Sequence, residues 1–252
     1  MGRRDSPAWL RPRWPVPPWV RALSTLRRGG VSRPPFDSLN LADHVGDAPE
    51  SVTANRARLR LAAELPAEPC WLVQEHGIHV VDAAEAGPGC RADGAYCARP
   101  GVVCAVLTAD CLPVLLCEPR RRLVAALHCG WRGLAAGLLE ATLDRLAPAG
   151  GQWLAWLGPA IGPGAFEVGM DVYEAFVTQD PGAAVAFAAS TPGRWFGDLW
   201  ALARRRLAAR GVTRIYGGGR CTWHEADSFY SYRRDGITGR MATLIWMEGT
   251  PG

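Results

Sequence analysis

Between Val102 and Leu127 the chain writes three compact apolar runs, Val102 to Leu107, Pro113 to Cys117 and Leu123 to Leu127, divided by short polar or breaker-containing turns. Each run is too short for a buried helix and is rich in Val and Leu, so each reads as a strand covered on both faces. This block of buried strands is the part of the chain that most constrains the fold. Trp71-Leu72-Val73 and residues 152–157 read as further strands, and residues 212–216 and 241–247 as the last two. Helices are expected from Pro49 to about Leu65 with Asp47 nearby as a cap, from Gly130 to Ala147, and from Asp171 to Thr178 and Asp198 to Arg210, the last two each opening on a capping Asp. In the second of these, Leu134, Leu138, Leu139, Leu143 and Leu146 share one side. Residues 1–20, dense in Pro and Trp, read as an irregular N-terminal arm, and residues 27–40 as a loop. No repeat or Ser/Gly linker divides the 252 residues, so residues 1–252 read as one domain of mixed α and β structure.

Composition narrows the function. Apolar residues make up 48% and charged residues 21%, as in an ordinary globular protein. The net charge of +4 comes from scattered arginines, with no lysine anywhere, which argues against nucleic acid and excludes Schiff-base chemistry. No run approaches the ~18 apolar residues of a membrane helix. The basic start, residues 1–7, lacks the apolar stretch of an export signal. Eight cysteines without a C-x-x-C pair suit a reduced, cytoplasmic protein, with Cys104 and Cys117 packed as small hydrophobes.

Three motifs carry candidate chemistry: Gln74-Glu75-His76-Gly77, Asp110-Cys111-Leu112-Pro113 and His128-Cys129-Gly130-Trp131-Arg132. Two imidazoles and a thiolate suit zinc, and three protein ligands leave a fourth tetrahedral position for chemistry. Cys111 and His128 fall where strand meets loop, and Gly follows both His76 and His128 closely, which lets backbone approach. Asp93 reads as the acid or base, and Asp110 as an orienting or turn residue. His79, His44 and His224 read as peripheral. Arg27 or Arg28 with Gly29, Gly30 and Ser32, and Arg132 at a helix start, are candidate phosphate contacts. The stretch Phe229 to Gly236 reads either as the wall of a pocket for a flat ring or as a strand and turn.

Taken together with Arg27 and Gly29-Gly30-Val31-Ser32, Ser38-Leu39-Asn40-Leu41, Gly46-Asp47, Asn55-Arg56, Gly158-Pro159-Ala160-Ile161-Gly162 and Ser231-Tyr232-Arg233-Arg234, these motifs resemble the YfiH-like family, also called the multicopper polyphenol oxidase or laccase-domain family. The resemblance implies an α+β fold in a single-domain, four-layer α/β/β/α sandwich. It implies a catalytic zinc on His76, Cys111 and His128, and substrate contacts from Arg27, Ser32, Asn40 and Arg132. It also implies phosphorolysis of adenosine, inosine and methylthioadenosine, with adenosine deamination as a second activity. Its partners are then a purine nucleoside and phosphate, with no nucleic acid, no membrane and no required oligomer. Glu75 and Cys129 stand where relatives commonly carry Val and Ala.

Three rivals accompany this reading. A copper (Cu²⁺) polyphenol oxidase needs on the order of ten imidazoles, and the chain has five. A cysteine hydrolase would use Cys111 as nucleophile and His128 as base, acting on an amide of a nucleotide-linked cell-wall precursor. A zinc-stabilised binding module would close the metal with a fourth protein ligand.

Overall fold

The computed structural model describes residues 6–147 and 151–249. In chain order its strands are Trp9–Leu10 (β1), Val20–Thr25 (β2), Val80–Asp82 (β3), Gly94–Cys97 (β4), Val103–Thr108 (β5), Leu112–Glu118 (β6) and Leu123–Cys129 (β7). They continue with Leu154–Leu157 (β8), Glu167–Val168 (β9), Phe187–Ala189 (β10), Trp195–Gly197 (β11), Arg214–Gly217 (β12) and Met241–Met247 (β13). The α-helices are Pro49–Ala62 (α1), Trp131–Ala136 (α2), Leu138–Leu146 (α3), Met170–Val177 (α4), Leu199–Ala209 (α5) and Tyr232–Asp235 (α6).

The three apolar runs do become strands, but they are shared between two sheets. β6 and β7 are the centre of a six-stranded sheet ordered β12-β8-β6-β7-β4-β3, while β5 joins a four-stranded sheet ordered β1-β2-β13-β5. Alternation along each strand decides which core a residue enters. Leu115 and Cys117 of β6 pack with Cys104 and Val106 of β5 and with Ile245 and Met247 of β13, in a core shared by the two sheets. Val114 and Leu116 point the other way, into a core with Leu134, Leu138, Leu139 and Leu143 of α2 and α3 and with helices α4 and α5. The remaining residues of β5 and β13, among them Ala105, Leu107, Leu244 and Trp246, pack with Leu59 of α1. Covering on both faces is why these strands read as unbroken apolar runs.

Several local expectations give way. Trp71-Leu72-Val73 makes no strand: Cys70 and Val73 form single bridges to Cys104 and Arg91, and Val73 is exposed. The helix expected over 130–147 breaks into α2 and α3 at Gly137, which takes φ 96°, a left-handed conformation open to glycine at no steric cost. Asp198 caps α5 by accepting the Ala201 N–H at 3.0 Å, as read. Asp47 and Asp171 do not cap their helices, whose N-caps are Ala48 and Gly169. Asp47 instead accepts from Ser32 and Asn40. The N-terminal arm is not wholly irregular, since β1 pairs with β2; its first five residues, with most of the basic start, lie outside the described residues. Cys104 and Cys117 are fully buried, and burial pushes both thiols up, Cys117 to about 12. All eight cysteines are free thiols.

Candidate active site

Strand register assembles the centre. β6 and β7 pair antiparallel with Leu112 opposite Cys129 and Pro113 opposite His128. Cys111, one residue before β6, therefore lies at the same sheet edge as His128. β4 pairs on the other side of β7 with Gly94 opposite Leu127. This sets Asp93, one residue before β4, against His128, whose backbone N–H donates to the Asp93 carbonyl at 2.7 Å.

Asp93 then brings in the third donor. Its carboxylate, nearly inaccessible to solvent, accepts the backbone N–H groups of Glu75, His76 and Gly77 at 3.2, 2.8 and 2.6 Å. It also accepts His128 Nδ1–H at 2.8 Å. One buried carboxylate thus fixes a turn in which His76 sits at φ 61°, a conformation uncommon among residues other than glycine. With Nδ1 bonded to Asp93, His128 offers its Nε2 to the centre.

The potential ligand atoms of His76, Cys111 and His128 all lie within 4.8 Å of one another. Cys111 Sγ is 3.8 Å from His76 Nε2, and the two imidazoles meet edge to face with centroids 4.7 Å apart. Neighbouring donors about a tetrahedral zinc with bonds of ~2.0–2.3 Å are separated by roughly 3.3–3.8 Å; the Cys111–His76 pair has that spacing, and the group as a whole could hold a metal ion. Gly130 makes the space, since a Cβ there would stand 2.8 Å from His76 Cδ2 and 3.1 Å from Cys111 Sγ. Gly133 lets α2 close on the same turn, because a Cβ there would meet the Gly77 carbonyl at 2.7 Å. The burial gradient runs from exposed His76 through half-buried Cys111 to buried His128, so the group is open on the His76 side.

The charges of the metal-free centre are coupled. Burial pushes the Cys111 thiol up, but His128 and His76 beside it reverse this and bring the pKa down to about 6. Burial alone would depress His128; the Cys111 thiolate and Asp93 instead raise it to about 9. Asp93 is held below its ordinary value, since its bonds to His128 and to the turn N–H groups outweigh burial.

Both carboxylates are taken up by hydrogen bonds within the protein. Asp93, read as the acid, positions His128 and the His76 turn, with its oxygens already bonded. Asp110 reaches the C-terminal segment: its Oδ1 accepts Thr222 Oγ1–H at 2.6 Å and its Oδ2 accepts the Arg233 N–H at 2.7 Å. The other candidates lie as follows. Arg27 is occupied, donating to the carbonyls of Asp37 and Ala226, pairing with the Asp37 carboxylate and lying over the Tyr230 ring. Ser32 and Asn40 are buried and turn inward, Ser32 to Asp47 and Asn55, Asn40 to Asp47, the backbone of Ala42 and the Arg240 N–H. Arg132 is exposed in the first turn of α2, over the Trp131 ring. His44, His79 and His224 are exposed and outside the donor group. Phe229 and Tyr230 are fully buried and the residues after them form α6, leaving Tyr232 exposed. Sequence reading missed Thr222 and Arg240, whose only signal is position: Arg240 directly precedes the strand that pairs with β5.

The chain matches the family described as multi-copper polyphenol oxidoreductase laccase over residues 21–248. This protein belongs to that family. A purine nucleoside phosphorylase of Pseudomonas aeruginosa is 53% identical over 242 residues, 96% of this chain and 99% of the relative. The purine nucleoside phosphorylase YfiH of Escherichia coli K12 is 53% identical over 237 residues, 94% of this chain and 97% of the relative. Among solved structures, a Neisseria meningitidis protein superposes with a TM-score of 0.91 at 49% identity, covering 96% of this chain and 99% of its own. YlmD of Geobacillus stearothermophilus gives 0.91 at 31% identity, covering 99% of this chain and 98% of its own. The chain is accordingly a single domain of mixed helices and sheets, and its kinship is with enzymes named as phosphorylases.

Proposed function

We propose that this protein is a zinc-dependent purine nucleoside phosphorylase. The substrates in this reading are adenosine, inosine and methylthioadenosine with inorganic phosphate, and adenosine deamination is its second activity. The observation that carries the reading is the convergence of His76, Cys111 and His128 with no fourth His, Cys, Asp or Glu joining the group among the described residues. The names of the relatives supply the substrate class. We also read the order of the three cores as helix, sheet, sheet and helix, the four-layer stack implied by the motifs, with residues 1–252 as one domain.

When bound, zinc would be held by His76, Cys111 and His128 and would supply Lewis acidity. The chain does the rest. Asp93 keeps His128 in the tautomer that presents Nε2 and holds the His76 turn in place. Gly130 leaves the open volume. The motifs offer Arg27 and Arg132 as phosphate contacts, but Arg27 is taken up in bracing the 27–38 loop and Arg132 is solvent-exposed. Phosphate must stand against the sugar C1′ while the glycosidic bond loosens with oxocarbenium character, as in glycoside cleavage. Cys111 serves as ligand here. The protein acts in the cytoplasm, where eight free thiols stay reduced, and its centre is built from one chain, so an oligomer is not required. Among the described residues no helix is long and apolar enough to cross a membrane.

Copper chemistry of the multi-centre kind lacks support, since five histidines and, among the described residues, one three-donor group suit a single ion. The cysteine-hydrolase reading gains from the depressed Cys111 thiol beside His128; a trapped acyl-enzyme on Cys111 is its signature. The deciding assay incubates purified protein with adenosine, with and without phosphate, and identifies products. Free adenine with ribose 1-phosphate, formed only with phosphate and lost on chelation, is expected. Zinc-loaded protein that gives neither ribose 1-phosphate nor inosine would remove the basis of the proposal.

A further inference from the structure

A phosphorylase has to hold a phosphate dianion, and the arginines first suggested for that duty are poorly placed for it. Arg27 is committed to carbonyls and Asp37, and Arg132 is solvent-exposed. Arg91, Arg220 and Arg234 are paired with Glu75, Glu225 and Asp235. Arg233 spends Nη1 on the Glu167 carbonyl.

Among the described residues Arg240 has no acid partner, unlike the paired arginines, and unlike exposed Arg132 and Arg233 it is partly buried. The register of β13 on β5 sets Met241 opposite Thr108, so Arg240 comes level with Ala109, between the end of β5 and the Asp110-Cys111 turn. Its backbone is fixed on both sides: the N–H donates to Asn40 Oδ1 at 3.0 Å, and the carbonyl accepts the Leu41 N–H at 3.3 Å. Buried Asn40 therefore serves the site by clamping Arg240. The guanidinium donates from Nη1 to the carbonyls of Thr238 and Gly239 at 2.8 and 3.0 Å and lies over the Tyr232 ring at 5.7 Å. Among the described residues no carboxylate forms an ion pair with it, and neither Nε nor Nη2 is sealed from solvent without a partner. Burial lowers its pKa, and the nearby charges of Cys111 and Asp110 act against that. A half-buried guanidinium with no acid partner and two unspent donor groups, beside a metal-ligating thiolate, is an incomplete anion site.

We infer that Arg240 is the phosphate-binding residue of this centre, its Nε–H and Nη2–H donating to two phosphate oxygens while Nη1 anchors the side chain to the Thr238-Gly239 backbone. The inference rests on the phosphorylase reading for its choice of anion, and its test is arranged so that each can fail alone. The full-length protein, Arg240→Gln and Arg240→Lys are titrated calorimetrically with inorganic phosphate. In parallel, KM for phosphate and KM for nucleoside are measured by release of ribose 1-phosphate. Loss of a charge-assisted pair of bonds should weaken phosphate binding and raise phosphate KM about tenfold or more in Arg240→Gln. Lysine, which keeps the charge but not the two-pronged geometry, should recover part of the loss. Nucleoside KM should stay within about twofold, because uniform loss of one ligand's binding leaves the other's unchanged. A purely structural role would lower the melting temperature of both variants without moving phosphate KM selectively, and that result overturns the inference. So does phosphate binding in Arg240→Gln equal to that of the parent. Should the parent bind phosphate through Arg240 yet release no sugar phosphate from any purine nucleoside, the anion site stands and the phosphorylase reading falls.

Discussion

The His76–Cys111–His128 centre and the loop spanning residues 27–40 are equally conspicuous as sequence, each dense in Gly, polar side chains and motif residues. The structure uses them in opposite ways. In the loop the buried polar side chains find partners within the protein: Asn55 accepts the Val31 N–H and donates to Ser32 and to the carbonyls of Ser38 and Asn40, and Ser32 and Asn40 both close on Asp47. At the centre, three strong donors converge and the surrounding bonds hold them there without capping them all. Density of polar motif residues marks either case; unspent donor capacity separates a site from a brace.

Substitutions should break the comparison in different observables. Cys111→Ala should lower phosphorolysis on the order of a thousandfold, because an electrophilic metal contributes several kcal/mol to the transition state. Activity assays with metal analysis check this, and retained turnover in a zinc-free variant would sink the metal's role. Asn55→Ala, in the loop, should instead cost about 2–4 kcal/mol of stability by orphaning buried partners. Urea denaturation measures it, with zinc content unchanged. Asp93→Asn should weaken zinc binding about 10- to 100-fold in a chelator competition, since an amide cannot bond His128 and three N–H groups alike; unaltered affinity would refute its positioning role.

The coupled charges sharpen the comparison further. His128 is raised, so its contribution to stability is complete below its ordinary pKa of 6.5 and is lost as pH rises through about 9. Cys111 is lowered, so its contribution is complete above its ordinary 9.0 and is lost as pH falls through about 6. Metal-free protein thus holds the thiolate–imidazolium pair between about 6 and 9. In that window these two groups release one proton on loading zinc, from His128, and the count should rise toward two below the window and fall toward zero above it. Calorimetric zinc titrations in buffers of different ionisation enthalpy give the count, and a pH-independent value would contradict the assigned pair. The smallest effect is expected at Glu75, whose carboxylate pairs with exposed Arg91: Glu75→Val should change stability by less than about 1 kcal/mol and leave zinc affinity untouched in the same competition assay.

Much of this was legible in the chain. The strands of the central block announce themselves because they are covered on both faces, and the three metal donors stand out because thiol and imidazole flank strand ends beside glycine. Local pattern cannot say which sheet a strand joins, so β5 looked like its neighbours although it pairs with β13, more than a hundred residues away. The duties of the two carboxylates were hidden for the same reason. Asp93 meets His128 only through the β4–β7 register, and Asp110 meets Thr222 across 112 residues. The helix expected over residues 130–147 runs across Gly137, whose left-handed backbone divides it into α2 and α3. Arg240 carries no motif of its own that points to the centre.

X-ray absorption at the zinc edge of the loaded enzyme tests the central claim most directly. The account predicts one sulfur and two imidazole nitrogens with a fourth light atom that is not from the protein and changes when phosphate is added. Four protein donors, or a zinc shell lacking the Cys111 sulfur, would contradict it.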